Sequence, residues 1–79
     1  MHTRYQGTVV ALVNQHSRVN GDPVVTVTLE VDIPGRGLTR GEVVDAISVV
    51  HLPRFQPGAK VDVWVDPDDP TRMALEEGL

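Results

Sequence analysis

Val61-Asp62-Val63-Trp64-Val65-Asp66-Pro67-Asp68-Asp69-Pro70 decides the fold. Val61, Val63 and Val65 alternate with Asp62, Trp64 and Asp66, the period of two that turns one face of a strand to a core and the other to water. The proline-aspartate run that follows is a turn, because proline fixes φ and aspartate bonds its own backbone. The stretch contains no nucleophile, no metal-ligand set and no phosphate-cradling loop. Its outward residues, Asp62, Trp64 and Asp66, are the candidate partner-binding residues, since aromatic side chains dominate interface energetics. The structural alternative is that Trp64 lies against a loop, the tail around Leu79, or an arginine of a neighbouring strand.

Upstream, Val24 to Ile33 repeats the alternation over a longer span. Val25, Val27, Leu29, Val31 and Ile33 share one face, and Val24, Thr26, Thr28, Glu30 and Asp32 the other. Before it, Asn20-Gly21-Asp22-Pro23 reads as a hairpin turn, with two residues that tolerate positive φ and then a proline suited to the mouth of a strand. Gly7 to Val13 is apolar on both faces, which predicts a first, central strand buried on two sides, with Asn14 to Val19 extending it outward. Pro34-Gly35-Arg36-Gly37 is the next turn. Glu42 to Leu52 fits either period, and Thr39 with Glu42 has the spacing of a helix capping box. Its four valines and one isoleucine, and the need for a hairpin partner, favour a third strand. Pro53 and Pro57-Gly58 end it, with Phe55 between them as a plug for one end of the core. Lys60 to Asp66 is a fourth strand, Thr71 to Leu75 a short fifth, and Glu76-Glu77-Gly78-Leu79 a frayed tail.

The chain of 79 residues is read as one domain, residues 1–79, because a second would have too little interior. The expected class is all-β, a small five-stranded OB-like or Greek-key barrel whose closure removes sticky edges. With no cysteine, neither a disulfide nor a thiolate zinc site can staple so small a core. The core does it unaided, or a partner subunit helps. No apolar stretch approaches the roughly 20 residues of a membrane helix, and no signal-like segment follows Met1, so the expectation is a soluble, cytoplasmic chain. Formal net charge is −4, with −5 in the segment from Asp62 onward and +1 before it. An acidic chain with three aromatics is poorly suited to a phosphate backbone, which calls for clustered lysine and arginine.

Gly7-Thr8-Val9-Val10, Val19-Asn20-Gly21-Asp22-Pro23-Val24-Val25, Leu29-Glu30-Val31, Gln56-Pro57-Gly58 and Val61-Asp62-Val63 running into Asp66-Pro67-Asp68-Asp69-Pro70 follow one another in an order that resembles a bacterial family of small β-domains of unknown function. Members are often found beside membrane helices, and similar soluble copies occur in actinobacterial proteins. The resemblance covers nearly the whole chain and implies a compact barrel-like domain without known activity, hence no catalytic residues. Val65 stands where that family often has an aromatic, and no membrane helix accompanies this copy.

The remaining constellations have plain structural readings. Asp66, Asp68 and Glu77 fall at the first, third and last positions of a twelve-residue calcium loop, but Pro70 takes the fifth and Thr71 the place that needs glycine. His2, His16 and His51 lack ligand spacing. Ser48 and His51, three apart in a strand, would point to opposite faces and make no nucleophile-base pair. Gly35-Arg36-Gly37 has no helix start behind it to hold a phosphate. No enzyme and no cofactor is implied. The expectation is a non-enzymatic interaction module that takes a protein partner or a second copy. The alternative is an OB-like binder of single-stranded nucleic acid, stacking bases on Tyr5, Phe55 and Trp64.

Overall fold

The computed structural model describes residues 3–75; the expected tail Glu76 to Leu79 and His2 lie outside the described residues. Five strands form one antiparallel sheet: β1 (Thr3–Val19), β2 (Asp22–Ile33), β3 (Gly37–Ala46), β4 (Lys60–Val65) and β5 (Met73–Leu75), in the order β3-β2-β1-β4-β5. Strands β1 to β3 are joined by hairpins and β4 returns beside β1, which is the Greek-key arrangement. The turns are made by the residues their geometry requires. Asn20 and Gly21, at φ 51 and 85, form the two-residue turn that matches hairpin twist. Pro34-Gly35 and Pro57-Gly58 each form a turn with glycine third, at φ 85 and 93, closed by Arg36 N–H to the Ile33 carbonyl and Ala59 N–H to that of Gln56, both at 2.9 Å.

The alternation of β2 holds throughout. Val25, Val27, Leu29, Val31 and Ile33 are buried and face Val9, Val43, Val63, Val65 and Leu75 across one interior. Phe55 closes an end of that interior from a 3-10 turn, Leu52–Phe55, and is 1% exposed. Gly7 belongs inside for a steric reason: a Cβ there would lie 2.9 Å from Val63 Cγ2 and 3.1 Å from Val31 Cγ2.

Three expectations are corrected. The first is two-sided burial of Gly7 to Val13. Val9 pairs with Leu29 and Ala11 with Thr28, so Val10 is one extra residue, a β-bulge that reverses which faces the later residues occupy. Val9 and Leu12 therefore both point inward, and Val13 points out, 53% exposed. A second irregularity sets Gln15, His16 and Ser17 against one residue of β2; His16 sits at φ 61 and its N–H bonds the Asn14 side-chain oxygen at 2.8 Å.

The second is the third strand. It begins at Gly37 rather than Glu42 and ends at Ala46, because Leu38 to Gly41 pair in register with Leu29 to Asp32. Ser48 to Leu52 is a turn, with His51 and Leu52 N–H both directed to the Ser48 carbonyl. No capping-box helix forms.

The third is barrel closure. The sheet is all-β and strongly curled, but it does not close. β5 has only three residues, and what meets β3 is the Met73 side chain, whose sulfur would lie 2.7 Å from a Cβ on Gly41. No backbone ladder joins β3 to β5 among the described residues.

Candidate interaction face

The outer face of the sheet carries the residues that alternation turns away from the core, and its two ends differ in chemistry. Where β4 flanks β1, the face is polar and paired. Arg40 meets Glu30 at 2.8 Å on the neighbouring strand, and Lys60 Nζ donates to Thr8 Oγ1 at 2.7 Å. Trp64 stands opposite Arg4 on β1 and Ala74 on β5. It is half-buried, with the Arg4 guanidinium carbon 5.9 Å from the ring centroid, a cation–π separation. The neighbouring-strand arginine is thus one contact of Trp64, while the tail around Leu79 lies outside the described residues.

The expected trio is split. Asp62, exposed and opposite Gln6, shares the outer face with Trp64. Asp66 does not: the strand ends at Val65, and Asp66 turns into the corner, accepting the Asp68 N–H at 2.9 Å and lining a cavity of about 170 Å³ with Tyr5, Ile33 and Arg36. Asp69 accepts both the N–H and the hydroxyl of Thr71, at 3.2 and 2.6 Å. These carboxylates hold a turn, as the prolines beside them suggest, and the proposed last calcium position, Glu77, lies outside the described residues.

At the far end, where only β3, β2 and β1 are present, the outer face has a different character. Val44, Thr26 and Val13 form one row across the three strands, with Glu42, Thr28 and Ala11 in the next and Val24 beside them. Val44 is 65% exposed. Thr26 is covered because Gln15, carried outward by the second bulge, folds its amide over the threonine hydroxyl. Val13 and Val44 were not readable as a pair from the sequence. The signal existed in Thr26 and Thr28, outward residues of β2 without charge, but the Val10 bulge hid the facing of Val13.

Among the described residues, the other candidate groups do not assemble into a site. Ser48 Oγ accepts the Val50 N–H at 3.4 Å, and the premise that Ser48 and His51 diverge on a strand fails because they share a turn. Among the described residues, no group of three or more His, Cys, Asp or Glu is placed to hold a metal ion. The aromatics that single-strand binding would use are divided, with Phe55 and Tyr5 on the core side and Trp64 outside. Among the described residues, no helix is long and apolar enough to cross a membrane.

Searches of the curated proteins and of the solved structures find no match. A family model described as a domain of unknown function, DUF3592, matches residues 5–79, and with the β-sheet just described filling that span, the chain belongs to this family.

Proposed function

We propose that the domain is a non-enzymatic interaction module that docks a protein through the outer face of its sheet. The observation that carries this reading is the uncharged row Val13-Thr26-Val44, whose two valines are 53% and 65% exposed on either side of a threonine covered by Gln15. Such a face loses water on contact without stranding a charge, and the charged rim beside it sets orientation. Trp64 and Asp62 lie on the same side of the sheet at its opposite end, where the aromatic ring is a separate candidate contact point.

The reading is tested by retention of proteins from the source cells on the immobilised domain, comparing wild type with Val44→Lys and with Trp64→Ala. Proteins held by wild type and released by Val44→Lys support docking through this face. An identical set retained by all three overturns it.

A further inference from the structure

We infer that a second copy of this chain adds to the free edge of β1 between its two bulges. The inference deepens the interaction reading by naming the partner. β1 pairs with β4 only from Thr3 to Thr8, and Val9 makes the last contacts on that side, to Gly58 at 2.8 Å and Ala59 at 2.9 Å. From Ala11 to Asn14 the strand is regular, bonded to β2 along one side, and has no backbone partner on the other among the described residues. Unpaired N–H and C=O groups along an extended strand are a template for another strand.

The two long edges of the sheet are not equivalent. β3 presents Arg40, Glu42 and Asp45, and Met73 and Thr71 lie against its middle. Charges and partial cover are the usual protections of an edge. The β1 edge has neither: no ionisable side chain occurs between Tyr5 and His16, so two identical edges meet without like charges opposed.

The pairing register is set by the faces. Antiparallel strands related by a two-fold axis put residues of the same face opposite one another. Centred on Leu12, this places Leu12 opposite the partner's Leu12 on the inner side, and Ala11 opposite the partner's Val13 on the outer side. Both matches are apolar. The exposed row of one copy then continues from Val13 into the partner's Ala11. Bulges at Val10 and at Gln15 to Ser17 bound the regular segment, and of the face-matching registers within it the one centred on Leu12 opposes only apolar side chains. Three residues a side, Ala11 to Val13, make a small contact, which places it among weak, concentration-dependent associations.

The chain has no cysteine, so single thiols report the register cleanly. Directly opposed residues in an antiparallel pair stand about 4.5–5.5 Å apart at Cα, within reach of a disulfide. Ala11→Cys and Val13→Cys proteins, mixed under air oxidation, are expected to give several-fold more mixed dimer than either self-pair, and more than a mixture of Leu38→Cys with Val44→Cys on β3. Sedimentation of the cysteine-free protein should show mass rising between micromolar and near-millimolar concentration. Val13→Lys should abolish the rise while leaving the melting temperature unchanged. A monomer at every concentration, equal cross-linking in all mixtures, or cross-linking concentrated on β3 overturns the inference. None of these outcomes touches the broader interaction reading, which stands or falls separately on the retention experiment with Val44→Lys.

Discussion

The two halves of β1 are one continuous strand built under opposite conditions. Thr3 to Val9 pairs with β4 from Thr3 to Thr8 and with β2 from Gly7 onward, buries Gly7 against Val31 and Val63, and carries the Lys60–Thr8 pair on its outer face. Ala11 to Val19 has β2 alone beside it and exposes Val13 and Val19, 53% and 52%. On β1 the exposed valines lie where the sheet is incomplete, alongside Arg18. A surface under no functional demand tends toward the reverse, because an unfinished edge is where charge is most useful as protection. The contrast is the ground on which the proposed docking face is placed in the incomplete half.

That contrast can be broken at several points. Gly7→Val is expected to have the largest effect, because the new side chain collides with two buried valines and no flexible group can yield. A loss of about 3 kcal/mol in urea unfolding is expected. A loss near zero would mean that the first half of β1 is not held as tightly as its packing indicates. Asn20→Ala, at the tip of the second half, forces alanine into the left-handed region and should cost about 1 kcal/mol, read as a lower urea midpoint at constant slope. Arg4→Ala removes the cation over Trp64 for about 0.5 kcal/mol. Its clearer readout is fluorescence, with a red shift and stronger iodide quenching of Trp64. Val13→Thr, a β-branched exchange on the open half, should leave stability within about 0.5 kcal/mol. A large loss there would show that Val13 is packed within the monomer, which would remove the basis for calling that half exposed.

Much of this was legible in the sequence. The period of two fixed the facing of every residue in β2 and β4, and Asn-Gly, Pro-Gly and Asp-Pro marked turns through residues whose backbone preferences are local. Phe55 was identifiable as a plug because prolines on both sides detach it from any strand. What was not legible depended on partners distant in the chain. The Val10 bulge is a decision of strand pairing, and nothing in Gly7 to Val13 distinguishes an apolar run buried twice from one that changes face midway. β3 begins at Gly37 because β2 continues to Ile33 and needs a partner there, although Leu38 to Gly41 reads as a polar lead-in. Closure failed as an expectation because counting strands does not reveal that the fifth is too short to bond the third. Asp62 and Trp64 stand on the outer face that the alternation gives them. Asp66 was lost to the corner, where the turn overrides alternation.

The unsealed seam between β3 and β5 has a kinetic consequence. A thioether resting on a glycine has no cooperative ladder to rupture, so β4 and β5 form the leaf that lifts first when the native state breathes. Deuterium from the solvent should reach the amides of Met73 to Leu75 early, those of β4 next, and Val27 and Leu29 only on global opening. The molecule is in this respect a book with one loose cover, its spine running along β2.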